Sequence, residues 1–108
     1  GWLLFKAEGL TRYHAEVVIA GLKGGVELLV PVEDVREGGG RLPLVEKLLS
    51  GGEARVEMEV GDGSALVKIV SRRGEPTPYG LKGKGQWFAF VLRPGAELRI
   101  RRVRVEEK

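Results

Sequence analysis

Apolar and polar residues alternate along most of this chain, which is the period of strands buried on one face. Tyr13, Ala15, Val17 and Ile19 share one face of a strand running from Tyr13 to Ala20. Val26, Leu28, Val30 and Val32 repeat the pattern in the next strand, where Pro31 implies an edge or a bulge. Trp2 to Glu8 forms an earlier strand, and Gly21-Leu22-Lys23-Gly24-Gly25 reads as a hairpin joining the second strand to the third. Farther on, Val56, Met58 and Val60 point inward while Glu57 and Glu59 point outward. The Gly61-Asp62-Gly63-Ser64 turn leads into a strand from Ala65 to Ser71. Residues 72 to 85, with Pro76, Pro78 and four glycines, read as the longest irregular segment.

Gln86 to Arg93 is strand-like, Pro94-Gly95 turns, and Glu97 to Val105 closes the pattern. In this last strand Leu98 and Ile100 keep one phase while Val103 and Val105 keep the other. A bulge at Arg101-Arg102 would bring all four to the core side and turn Arg99, Arg101, Arg102 and Arg104 to solvent. One segment departs from period two. Leu44, Val45, Leu48 and Leu49 form a helical stripe between Pro43 and Gly51-Gly52, so a short helix is expected at about 42–50. The expected fold is mostly β, a β-barrel or strongly curved antiparallel sheet, with the helix between the third and fourth strands as in an OB-like order.

Composition narrows this. The chain has 108 residues, enough for one domain over 1–108 with its own core. Cysteine is absent, which removes disulfides and thiolate metal sites. Asn is absent too, and Gln and Met each occur once beside 31% charged residues, a composition typical of thermophile proteins. No apolar run approaches the ~20 residues of a membrane helix, and the start of the chain lacks the features of a signal peptide. A cytoplasmic protein without membrane association is therefore expected.

Charge is uneven. Residues 1–54 carry six basic and eight acidic side chains, against twelve and seven in residues 55–108. Between Lys68 and Arg104 there are ten Lys or Arg and two acids, Glu75 and Glu97. Within that stretch, Lys82 and Lys84 sit among glycines that let phosphates approach, and Tyr79 and Trp87 offer ring faces for bases. Arg72, Arg73, Arg99, Arg101, Arg102 and Arg104 extend the positive field if the end strands lie side by side. Such rings also fill cores, and charged strand faces also keep sheets soluble. Lys84-Gly85 with Phe88-Ala89-Phe90-Val91 resembles the aromatic ribonucleoprotein motif of the RNA-recognition and cold-shock families over fewer than ten residues. Gln86 and Trp87 are inserted, and the RNA-recognition fold needs a second helix, so no family follows.

Other chemistry is sparse. His14, the single histidine, lies near Glu16 with no spacing that suggests a nucleophile or a metal-ligand set. Glu33, Asp34 and Glu37 read as a solvated turn, and Gly80 to Gly85 lacks the phosphate-loop pattern. No cofactor, metal or catalytic residue is expected. The residues point to a non-enzymatic protein that binds single-stranded DNA or RNA with low sequence specificity. The alternative is a protein-interaction module or homo-oligomer subunit using the same aromatic and basic surface.

Overall fold

The computed structural model describes residues 2–6, 12–32, 40–44, 46–49, 52–61, 64–71, 77–82 and 87–107. Their nine strands are β1 (Trp2–Lys6), β2 (Tyr13–Lys23), β3 (Val26–Val32), β4 (Gly40–Leu44), β5 (Ala54–Gly61), β6 (Ser64–Ser71), β7 (Thr77–Lys82), β8 (Trp87–Leu92) and β9 (Glu97–Glu107). All the pairings are antiparallel, in two sheets ordered β1-β8-β3-β4 and β7-β6-β5-β2-β9. The mostly β expectation therefore holds. No closed barrel forms among the described residues, because β1, β4, β7 and β9 each pair on one side.

The inner faces of both sheets supply one core. Tyr13, Ala15, Val17 and Ile19 of β2, Val56, Met58 and Val60 of β5, and Ala65, Val67 and Ile69 of β6 come from the five-stranded sheet. Val26, Leu28, Leu42, Leu44, Phe88 and Phe90 come from the other. Phe5 and Phe88 stack with ring centroids 5.1 Å apart, and Phe90 meets each of them edge-on. Such pairs contribute about 0.5–1.5 kcal/mol beyond area burial. Both phenylalanines of the ribonucleoprotein-like stretch are thus core residues rather than exposed stacking platforms.

Three local expectations change. The helix at 42–50 is replaced by β4 and a 3-10 turn at Glu46–Leu49. Leu42 and Leu44 are buried while Arg41 and Pro43 are exposed, so period two wins over the helical stripe. Pro43 is tolerated because β4 is an edge strand, where a missing N–H need not break a ladder. Second, Gly24-Gly25 is not a hairpin, since β2 and β3 belong to different sheets. Gly24 has φ +78°, its N–H donates to Glu46 Oε1 at 2.8 Å, and Gly25 O accepts from Arg93 N–H. The corner thereby packs against the Pro94-Gly95 turn, where β8 passes from one sheet to β9 in the other. Third, the long irregular segment contains β7, which pairs with β6 from Ile69↔Thr77 to Ser64↔Lys82.

Other expectations stand. β5 and β6 close as a hairpin with Gly61 opposite Ser64. Pro31 marks a bulge, as β3 shifts register against β8 between Leu29 and Val32.

Candidate nucleic-acid interface

The site begins with the bulge in β9. Val103 and Val105 pair with Val17 and Ala15, then the register skips Arg101 so that Ile100 pairs with Ile19. β2 answers by skipping Ala20, after which Leu22 pairs with Leu98. Leu98, Ile100, Val103 and Val105 all pack against the core, as the sequence pattern requires. Arg99, Arg101, Arg102 and Arg104 are all exposed.

Three of these arginines line an open groove of about 830 Å³ on the outer side of the five-stranded sheet. Arg55 joins them from β5, two strands away. The floor is apolar, made of Val18, Ala20, Leu49, Ala54 and Val70. Glu53 is the carboxylate among the lining residues and accepts from Arg101 Nη1. Arg102 Nη2 donates to Glu16 Oε1 at 2.7 Å, Arg99 Nη2 to Ala20 O at 3.2 Å, and Arg55 Nε lies 3.4 Å from Glu57 Oε1. Each tether holds a planar fork with five donors, so most donors remain for an incoming anion. The ion pairs of Arg101, Arg102 and Arg55, at or near the surface, add about 1 kcal/mol each at most to stability. Their main effect is to position the guanidiniums.

The other end of the same face is acidic. His14 Nδ1 lies 2.6 Å from Glu59 Oε1, and Glu16 stands directly opposite Glu57. Ligand atoms of His14, Glu16 and Glu57 lie within 4.8 Å of one another, a set that could hold a cation. Glu16 and Glu57 are, however, already held by Arg102 and Arg55, which relieves the repulsion of two carboxylates across a strand pair. The sequence pattern suits a nucleic-acid surface only if Glu57 and Glu59 lie away from it. They share the outer face with the arginines, so they argue against a nucleic-acid surface across that end of the sheet.

The expected surface is also split. Tyr79 is 36% exposed, but it lies on β7, at the opposite edge of the sheet from β9. Four inter-strand spacings separate these edges, about 19 Å. Tyr79 is also paired with the buried Val67, on the core-facing side rather than the arginine side. Trp87 is in β8 of the other sheet, opposite Lys6. Lys82 ends β7 opposite Ser64. Arg72, Arg73 and Lys84 lie outside the described residues. The end strands do not lie side by side, so the aromatic and arginine clusters are separate features.

Arg55 and the apolar floor escaped the sequence reading. Alternation with Val56 does place Arg55 on the outer face, but nothing local says that β5 lies two strands from β9. The chain matches no family model, and the comparisons with curated proteins and with solved structures found no match. Among the described residues no helix is long and apolar enough to cross a membrane.

Proposed function

We propose that this protein is a small, non-enzymatic binder of single-stranded nucleic acid with little sequence preference, and that the groove between β9 and β5 is its binding site. The observation that carries this reading is the set of four guanidiniums lining one groove beside apolar residues, with Glu53 in the lining and Glu16 and Glu57 pairing Arg102 and Arg55 from outside it. Guanidiniums pair with phosphate oxygens bidentately and also stack on base faces, so arginines can serve both parts of a nucleotide. Few groups in the groove could read base edges in a defined pattern, hence the low specificity.

Fluorescence anisotropy with a labelled ten-residue oligothymidylate tests this reading. For a single strand, log Kobs falls with log salt by about 0.7 for each phosphate neutralised. Three engaged phosphates give a slope near −2, and R99A with R102A reduces its magnitude by about 1.4. Lack of binding at low salt refutes the proposal. A second reading draws on β9, an eleven-residue strand paired on one side. An exposed edge is a template for another chain, although arginines along it discourage pairing. Light scattering that shows a stable oligomer, together with no oligonucleotide binding, would favour the protein-interface reading.

A further inference from the structure

The acidic end of the outer face carries chemistry that the arginine groove does not use. We propose that His14, Glu16 and Glu57 form a binding site for one zinc-class divalent cation, which joins β2 to β5 across that face. Strand alternation puts His14 and Glu16 on the same side of β2, and the antiparallel register sets Glu59 opposite His14 and Glu57 opposite Glu16. One ligand atom from each of His14, Glu16 and Glu57 lies within 4.8 Å of the other two. An ion at their centre stands at most about 2.8 Å from each, and movements of less than about 1 Å close this to the ~2.0–2.2 Å of zinc ligands.

The histidine is oriented for this role. Its Nδ1 lies 2.6 Å from Glu59 Oε1, and a carboxylate can only accept, so Nδ1 is the donor and the Nε2 lone pair is left for the ion. At zinc sites a ligating histidine ordinarily gives its other nitrogen to a carboxylate or carbonyl, which fixes the tautomer and raises ligand basicity. Glu59 fills that place.

The two carboxylates have outer partners as well. Arg102 Nη2 bonds Glu16 Oε1 at 2.7 Å and Arg55 Nε lies 3.4 Å from Glu57 Oε1, so each guanidinium engages one oxygen and leaves the second to ligate. Ligating carboxylates are held in this manner. Glu16 and Glu57 face each other directly, an arrangement that like charges disfavour and that a divalent ion between them reverses. Arg104 also stands opposite Glu16 but bonds Glu106 at 3.0 Å, and Lys68 stands opposite Glu57. Both are exposed, and exposed ion pairs are too weak to withhold the carboxylates from a doubly charged ion. The imidazole nitrogen favours zinc over calcium or magnesium, which prefer oxygen alone. Three protein ligands leave the fourth tetrahedral position to water.

Zinc alone is the probe, titrated into chelator-stripped, tag-free protein in competition with a chromogenic zinc indicator. One equivalent should bind, at least about tenfold more tightly than calcium or magnesium. H14A and E16Q should each weaken it at least tenfold, and E59Q, which removes only the outer partner of the histidine, by about tenfold. E27Q, on the other sheet, should leave it unchanged. His14 is the single histidine, so nitrogen NMR of its ring reads the site in the wild-type protein without any substitution. Zinc should shift Nε2 and leave Nδ1 protonated.

Zinc that binds without moving the His14 nitrogens, or that binds H14A as tightly as wild type, overturns the site and leaves an adventitious ion only. Equal competition by calcium or magnesium overturns it too, since surface carboxylates alone would then account for binding. Absence of saturable zinc binding has the same consequence. Oligonucleotide titration reports on the arginine groove, so failure of that function and failure of this site are read in separate assays.

Discussion

Replacing Tyr13 by Phe should stabilise the protein, and increasingly so as the solution becomes alkaline. The Tyr13 side chain is buried in the main core, and its hydroxyl has no hydrogen-bond partner among the described residues. A buried, unpaired hydroxyl costs about 1–3 kcal/mol, so its removal should raise stability by about 1 kcal/mol at neutral pH. Burial also pushes the phenol from its ordinary 10.0 up to about 12, because the charged phenolate is poorly solvated there.

Above pH 10 the unfolded chain loses this proton while the folded chain keeps it. The neutral phenol's contribution is therefore complete below pH 10 and disappears as pH rises toward 12. A two-unit shift corresponds to about 2.7 kcal/mol in total, of which about 2 kcal/mol should be lost by about pH 11.5. Guanidinium unfolding of wild type and Y13F from pH 8 to 11.5 measures the difference directly, since other titrating groups are common to both. The stability gap should widen by about 2 kcal/mol over that range. Parallel curves would show that the Tyr13 phenol ionises as readily in the folded protein as in the unfolded chain, and the burial argument would fail.

The corner glycines and the bulge give sharper tests of the fold. Gly24 and Gly95 both have positive φ, but a Cβ on Gly24 would lie 3.0 Å from the Ala96 backbone, whereas one on Gly95 meets nothing within 4 Å. By denaturant midpoint, Gly95→Ala should cost about 1–2 kcal/mol from backbone strain alone, and Gly24→Ala at least about 1 kcal/mol more from overpacking. Deleting Arg101 removes the extra residue of β9 while β2 keeps its own at Ala20, so one aliphatic pair of β9 turns outward. Loss of two half-buried aliphatic side chains predicts about 2 kcal/mol of destabilisation in the same assay. An unchanged midpoint would refute the bulge.

Strand alternation, the turn at Gly61 to Ser64 and the phase break in β9 are local patterns, and the sequence alone determined them. Two apolar phases in one strand can reach one core only through an inserted residue, so the bulge was legible without any partner strand. The segment at 42–50 read as a helix because Leu44, Val45, Leu48 and Leu49 follow helical spacing. Burial against β3 then chose period two for Leu42 and Leu44. Alternation fixes whether a side chain points in or out, but not which strand lies next to it. Neighbour choice depends on long-range pairing, and tertiary structure alone decided that β2 separates β9 from β5 and that β7 lies at the far edge. That order brought Arg55 to the β9 arginines over an apolar floor. It also put Tyr79 and Trp87 elsewhere, leaving one arginine groove where the sequence pattern implied a single basic and aromatic surface.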